Sequence, residues 1–245
     1  EAAVAGADER AHGQLRAADA LDHLGQNPDG CRAAGFQITQ EALEDNLYGN
    51  WARRGATSLG RSFRQTKEIK GAAVFNNGFS TFKTGDNVAL FSASHPITGT
   101  TASNLASTAA QLNEYSLEQA IIAVQSFVDD RGLKINATVK KMLVPQALQF
   151  IAERLLKSTG RVGTADNDIN TMQGKMPHAV WQYLTSTTAW YLLTDVPDGF
   201  KYFERIALSQ DNETVFDTGI IKYKGRERYV FGCSDWRAGW ANAGA

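Results

Sequence analysis

The sequence predicts an α+β fold in which most helical signals precede most strand signals. Two observations predict the helices: an apolar stripe that repeats every four residues after Thr39, and a capping pattern around Ser116. A third predicts the sheet, because aromatic and β-branched runs separated by turn residues fill the chain from residue 178 onward.

The composition is that of a globular protein with no strong overall charge. The 245 residues are 43% hydrophobic and 21% charged, and can form one large domain or two small ones. The net charge of −1 excludes a global basic field that would attract nucleic acid or an anionic membrane. No stretch approaches the roughly 18 apolar residues of a membrane span, and we expect no signal peptide. Cys31 and Cys233 lie far apart in sequence, so we expect reduced thiols.

Residues 1–35 differ from the rest because they contain no aromatic residue and no isoleucine. They offer little apolar surface to offset the entropy of ordering, so we expect a weakly ordered N-terminal arm.

A long helix is predicted over residues 39–75. Thr39 is a plausible N-cap, and the acidic residues that follow favour a helix N-terminus. Three glycines inside the helix suggest bending or close packing. The apolar stripe consists of Leu43, Leu47, Trp51, Leu59 and Phe63.

Two shorter helices follow a loop-rich passage with one short strand predicted at residues 88–91. Ser116 is predicted to cap the first, with Gln119 closing a capping box and Gly132 just past its end. Residues 133–144 are expected to be extended, and Pro145 suits the first turn of the second helix. The predicted apolar faces are Leu117, Ala120, Ile121, Val124, Phe127 and Val128 for the first, and Leu148, Ile151, Ala152 and Leu155 for the second.

The remaining residues predict a long mobile loop and then strands. Residues 158–177 are rich in turn formers and poor in apolar residues. Strands are predicted at "AVWQYL", "TAWYLLTDV", "FKYFERIAL" and "GIIKYKGRERYVFG", with a turn at residues 197–199.

The sequence contains no motif that predicts a catalytic, cofactor-binding or metal-binding residue. His95 lies in "FSASHPITGT" between serines and a proline, but no G-x-S-x-G is present, and we interpret it as a turn residue. His12, His23 and His178 lack partners at metal-binding spacing. The motif "DNDIN" (residues 166–170) lacks the glycine and glutamate of a calcium loop, and no phosphate-binding glycine motif occurs. One aromatic set is interpreted as strand core rather than a base-stacking surface: Trp181, Tyr183, Trp190, Tyr191, Phe200, Tyr202 and Phe203.

The ordered segments together resemble a known family. "GFQITQEALEDNLYG", "LFSASHP", "LKINATVKKMLVPQALQFIAERLLKS", "DNDIN", "TAWYLLTDV" and "GRERYVFGCSDWRAGW" occur in this order in tailed-bacteriophage major capsid proteins. The chain looks most similar to the major head subunits of Mu-like prophages, from about Gly35 to its C-terminus.

This resemblance implies the Hong Kong 97-like capsid fold, with a long spine helix and β-sheet in a peripheral (P) domain and helices on a mixed sheet in an axial (A) domain. It assigns residues 1–35 to an arm, 36–110 to the P domain with the spine helix and a loop, 111–204 to the A domain, and 205–245 to C-terminal P-domain strands.

The resemblance also implies function. The chain would be a non-enzymatic subunit that assembles with itself, as pentamers and hexamers, into the icosahedral shell that encloses phage DNA. Scaffold, portal and decoration proteins would be further partners, packaged DNA would be contacted only non-specifically, and no membrane would be bound. It would reside in the virion, and in the host cytoplasm before assembly.

One departure from the family concerns the residues before the spine helix. Relatives carry an extended β-hairpin there, whereas residues 1–35 do not have the composition of a hairpin. This suggests a truncated, processed or prophage-derived form, or a first stretch read in a different frame from that of its relatives. We expect such a chain to be monomeric or to form small rings and irregular aggregates, not closed uniform shells. The lysine–asparagine cross-linking of some members is not carried over.

Two alternatives remain at this stage. An encapsulin-like compartment would enclose an enzyme cargo instead of a genome, and a small serine hydrolase would use His95 as its base.

Overall fold

The computed structural model describes residues 31–39, 48–161 and 168–245. Contacts divide the chain into two compact units: unit 1 contains Glu1–Lys67 and Tyr202–Val230, and unit 2 contains Glu68–Lys201 and Phe231–Ala245. In chain order the elements are β1 (Cys31–Ile38), α1 (Tyr48–Asn76), β2 (His95–Ile97), β3 (Thr100–Ala102), α2 (Glu114–Gln125), β4 (Val139–Val144), α3 (Gln149–Lys157), β5 (His178–Val180), β6 (Trp190–Thr194), β7 (Phe200–Thr214), β8 (Ile221–Cys233) and β9 (Gly239–Asn242), with 3-10 turns at Gln146–Leu148 and Trp236–Ala238.

Unit 1 contains a three-stranded sheet in the order β1-β8-β7. Strand β1 runs antiparallel to β8, with Cys31 opposite Arg228 and Ile38 opposite Ile221. Residues 31–35, which were expected to belong to the weakly ordered arm, therefore form part of a strand. The rest of that arm, residues 1–30, lies outside the described residues. The Ala-Ala-Gly sequence of β1 carries little intrinsic strand preference, so pairing with β8 decides its structure.

Helix α1 is continuous from Tyr48 to Asn76. The predicted start at Thr39 and the residues of the stripe before Tyr48 cannot be compared, because residues 40–47 lie outside the described part of the chain. Of the glycines within the helix, Gly55 packs against the Phe36 ring, where a Cβ would approach to 3.3 Å, but Gly60 has no neighbour within 4 Å. The close-packing interpretation therefore applies to Gly55.

Within unit 1, α1 packs on one face of the sheet. Phe63 is buried, and its ring packs closely on Gly225 of β8. A Cβ atom at Gly225 would lie only 2.6 Å from the ring. One turn further on, Lys67 Nζ lies 3.2 Å from the buried carboxylate of Glu227. The same ammonium group lies over the Tyr229 ring, 5.1 Å from its centroid. A glycine and a charge pair thus fix the helix on β8.

Unit 2 contains a four-stranded mixed sheet in the order β5-β4-β6-β9, with β5 parallel to β4 and the other pairs antiparallel. Residues 231–245 belong to this unit because β9 pairs with β6, whereas the sequence grouped them with the preceding long strands. Of residues 133–144, which were expected to be extended, Val139–Val144 form β4. The main core includes Leu117, Val124, Met142, Leu155, Trp190, Leu192 and Trp240.

The boundaries of α2 differ from the prediction. Asn113, not Ser116, is the N-cap, and Ser116 is the third helical residue that completes the capping box. The helix ends at Gln125, well before Gly132, and Phe127 is buried beyond its end. The predicted face is confirmed for Leu117, Ala120 and Val124, which are buried.

The region around α3 also differs in detail. Pro145 precedes a 3-10 turn, and α3 begins at Gln149. Ala152, Leu155 and Leu156 are buried, whereas Ile151, predicted on the buried face, is exposed. In the predicted loop, Met172 and Met176 are buried in the core, and residues 162–167 lie outside the described ranges.

Three strand predictions need correction. Residues 88–91 form no named strand, only an isolated bridge between Lys83 and Ala89. Of "AVWQYL" only the first residues belong to β5, because the chain turns at Trp181. Strands β6, β7 and β8 match the remaining three runs, and β7 extends to Thr214, further than predicted.

Candidate functional site

His95, the candidate base, lies fully buried in β2 of unit 2. Its Nδ1 is 2.6 Å from Asp86 Oδ2 and its Nε2 is 3.2 Å from Asn104 Oδ1. The ring stacks on Trp236, with centroids 4.4 Å apart and planes inclined by 7°. Both ring nitrogens and the ring itself are therefore engaged by residues from other loops.

Asn104 organises the loops around this ring. Its Nδ2 donates to the backbone carbonyls of Leu90, Trp236 and Gly239, at 2.7–3.0 Å. Its Oδ1 accepts from Ser92 N at 2.9 Å as well as facing His95. Because three carbonyls fix the amide nitrogen, the oxygen must face the histidine.

Asp86 is held by several donors. It accepts from Thr84 Oγ1 and from Val88 N, in addition to facing His95. Burial opposes ionisation of this carboxyl, but hydrogen bonds from Thr84, His95 and Val88 outweigh burial and hold its pKa below the ordinary value.

Arg237 continues the network beyond Trp236. Its guanidinium lies over the Trp236 ring at 4.5 Å, donates from Nε to Val128 O at 2.7 Å, and pairs with Asp130 at 2.6 Å. The side chain is buried although it is charged. We call this network the His95 centre; it joins loops that are distant in sequence. It consists of the half-buried Asp86 and the buried His95, Asn104, Trp236 and Arg237.

Neither serine that flanks His95 bonds to the imidazole ring. Ser92 Oγ and Ser94 Oγ lie 3.2 Å from each other, and Ser94 N donates to Ser92 Oγ. A hydrolase needs its nucleophile within hydrogen-bond reach of the base. The geometry of the His95 centre instead serves to hold loops together.

The other candidates also have structural positions. Asn170, the last residue of "DNDIN", is buried and donates to the carbonyls of Leu155 and Ser158, whereas Asp166 and Asn167 lie outside the described residues, as do His12 and His23. His178 lies in β5 opposite Met142. Among the described residues no group of His, Cys, Asp and Glu is arranged to hold a metal ion. Both cysteines are free, and burial raises the pKa of Cys233 to about 12.

Most of the aromatic set lies in the core of unit 2 rather than on a stacking surface. Phe75 contacts the rings of Trp181, Tyr191 and Phe200, with centroids 5.1–5.9 Å apart. Trp190 is fully buried beside Trp240. Tyr202 and Phe203 in unit 1 are exposed. No helix in the described part of the chain is long and apolar enough to cross a membrane.

Among the described residues, the most exposed large apolar side chain lies at the tip of the β7–β8 hairpin in unit 1. Phe216 is 98% exposed there. The turn beneath it is hydrogen-bonded, since Val215 N donates to Ile220 O and Gly219 N donates to Val215 O. Phe216 was not predicted from the sequence, where its only signal is a phenylalanine placed between turn residues.

Unit 2 has a second exposed apolar area on α2. Tyr115 and Ile122 lie two turns apart on the same side of α2 and are exposed, as is Ile169. The segment with Ile169 lies beside α2, because Arg161 bonds to Glu114 at 2.8 Å and Thr171 to Glu118 at 3.3 Å. We call Tyr115, Ile122 and Ile169 the α2 surface.

Comparison with known proteins identifies the family. The family model described as phage capsid protein matches residues 31–242. The chain belongs to the phage capsid protein family. This capsid protein is a structural component of the virion shell. None of the curated proteins compared with it matches its sequence.

Solved capsids share the fold. The chain is similar to a protein of the capsid of Myoviridae phage XM1, with 10% identity, a TM-score of 0.52, and coverage of 88% of this chain and 73% of that one. It is also similar to the bacteriophage PhiM1 mature capsid, with 12% identity, a TM-score of 0.53, and coverage of 87% and 70%. The holo-SrpI encapsulin complex from Synechococcus elongatus PCC 7942 matches at 11% identity, a TM-score of 0.50, and coverage of 87% and 73%. The mixed helix and sheet structure is thus the Hong Kong 97-like fold that the sequence predicted.

Proposed function

We propose that this capsid protein associates with further copies of itself through the Phe216 tip and the α2 surface, and that it has no catalytic role. The observation that supports this most directly is the exposure of Phe216 on an ordered turn. Unit 1, with its long helix and long strands, would be the P domain, and unit 2 the A domain.

The Phe216 tip is suited to insertion into a neighbour. Burying a phenylalanine side chain contributes about 1.5–3 kcal/mol relative to leaving it in water. The turn hydrogen bonds hold the backbone beneath the ring before contact, so binding need not order the backbone there. One such contact is weak, but a shell repeats it at every subunit.

The α2 surface offers a different patch on the same chain. Each of the two patches would contact a different part of a neighbouring subunit, so the contacts are heterologous. Heterologous contacts build rings and shells rather than one closed dimer. The α2 surface would contact neighbours within pentamers and hexamers.

Substitution of the tip tests this proposal. Phe216→Ser removes the exposed ring from a turn and should leave folding unchanged, while the share of species heavier than a dimer in sedimentation velocity should fall at least tenfold. Leu133→Ser is the matched control, because Leu133 is also exposed but lies outside both surfaces. An equal share of these species for both variants and the unchanged chain would refute the role of the tip.

The encapsulin fold neighbour supports one second candidate, a shell around a protein cargo. The contents of purified particles separate the two. Nuclease-protected DNA supports the capsid, and a co-purifying enzyme without DNA supports the compartment.

A further inference from the structure

The part of α1 in unit 1 carries an unusual concentration of arginine. Arg53, Arg54, Arg61 and Arg64 are all exposed. At 3.6 residues per turn they fall within an arc of about 100°. Phe63, which packs on β8, points about 130° away from the centre of this arc. The four side chains thus form one stripe, which we call the arginine stripe.

No acidic residue neutralises this stripe from within the helix. Between Tyr48 and Lys67 the helix contains no Asp or Glu, and the first acid, Glu68, accepts a hydrogen bond from Trp181 Nε1. Lys67 is paired with Glu227. Among the residues that the structure describes, none of the four arginines forms an ion pair. The whole chain has a net charge of −1, so the stripe is a local feature.

The helix itself gains nothing from these charges. The helix dipole favours cations in the last turn, where α1 has none, and the stripe lies in its N-terminal part. Arg61 and Arg64 are three residues apart, a spacing at which like charges repel by a few tenths of a kcal/mol. Since the side chains are exposed, they do not pack into the core either.

We propose that the arginine stripe binds the phosphate backbone of double-stranded DNA without reading its sequence. This rests on the proposed function in one respect, since the anion that a phage shell encloses is DNA. The eleven-residue distance from Arg53 to Arg64 corresponds to about 16 Å of helix, and successive base pairs rise about 3.4 Å, so the stripe spans roughly five base pairs. Arginine presents a planar fork that matches phosphate oxygens.

The test uses the full chain in its unassembled fraction and a 30-base-pair fluorescent duplex. We compare it with a variant in which Arg53, Arg54, Arg61 and Arg64 are replaced by Gln. Four neutralised phosphates predict a slope of log K against log salt of about −3.6, and about a hundredfold loss of affinity between 50 and 200 mM salt. The variant should bind at least tenfold more weakly at 50 mM salt and show a slope closer to zero.

The control is a variant with the same change in net charge in unit 2, in which the exposed residues Arg131, Lys134, Lys140 and Lys175 are replaced by Gln. It should bind DNA like the unchanged chain. Equal loss in both variants would mean that only net charge matters, and would overturn the proposal. The double variant Arg61→Gln/Arg64→Gln, which relieves repulsion, should fold and show about half the change in slope.

Two further results would also overturn it. In the first, a variant with Lys222, Lys224 and Arg226 replaced by Gln no longer binds DNA, while the stripe variant still does. That result would place DNA on the exposed face of β8. In the second, poly-L-glutamate binds to the stripe at least as tightly as the duplex does. That result would indicate an acidic protein partner. Particle formation by the stripe variant, followed by electron microscopy, is a separate readout, so failure of DNA binding is distinguishable from failure of self-assembly.

Discussion

Asn104 holds the loops of the His95 centre together, because it donates to three backbone carbonyls and accepts from Ser92 N. Asn104→Ala removes the donor to the carbonyls of Leu90, Trp236 and Gly239. Buried groups left without partners cost about 1–3 kcal/mol each, offset in part by water entering the space. We expect a loss of about 2–4 kcal/mol in the free energy of unfolding, measured by urea titration.

Ser94→Ala is the control for that experiment. Ser94 is exposed and bonds only locally with Ser92, so its loss should cost less than about 0.5 kcal/mol. A cost for Asn104→Ala as small as that for Ser94→Ala would show that the loops do not depend on this amide.

Asp86 predicts a pH dependence at the same centre. Its pKa is lowered in the folded protein, so its stabilising contribution is complete above the unfolded value near 3.8 and is lost as the pH falls through the lower, folded value. Asp86→Asn should therefore be less stable than the unchanged chain at pH 7, and the difference should shrink below about pH 4. Thermal unfolding from pH 2.5 to 7 measures this, and a difference independent of pH would contradict it.

For His95 the sequence predicted only that the residue has no catalytic partners. The turn interpretation missed that the ring is buried, because Asp86 and Asn104 each lie nine residues away and Trp236 lies near the other end of the chain. No local pattern indicates such a meeting. Phe216 was missed for a related reason, since exposure at a hairpin tip depends on where the strands end.

At the scale of elements, the contact between α1 and β8 depends on a glycine. A methyl group on Gly225 would approach the Phe63 ring to 2.6 Å, whereas one on Gly232 of the same strand meets nothing within 4 Å. Gly225→Ala should destabilise the protein by about 1–3 kcal/mol through overpacking. Gly232→Ala should be neutral or stabilising by about 0.4–1 kcal/mol, because it restricts the unfolded chain. The urea midpoints of both variants measure this, and equal midpoints would contradict the packing of α1 on β8.

Element types were predicted better than element boundaries. Helix α2 was placed correctly, but Asn113 and Ser116 are both good capping residues, and only the reciprocal hydrogen bonds between them show that Asn113 is the cap. Strand β1 was missed because residues 31–35 lack β-branched side chains, and its partner β8 lies far along the chain. Strands β6 to β8 were found because aromatic and β-branched residues there are dense.

For the whole molecule, family membership and fold agree with the resemblance read from the sequence. The resemblance depended on the order of several segments and not on any one chemical motif. The division into units could not be predicted from sequence, because β9 joins the sheet of unit 2 after the long β7–β8 hairpin of unit 1.

Sedimentation velocity of the unchanged chain over a range of micromolar concentrations tests self-association most directly. Heterologous contacts through separate surfaces predict species heavier than a dimer, whose share grows with concentration, because such contacts do not close after two subunits. A chain that stays monomeric, or stops at one dimer of fixed sedimentation coefficient at every concentration, would contradict assembly through the Phe216 tip and the α2 surface.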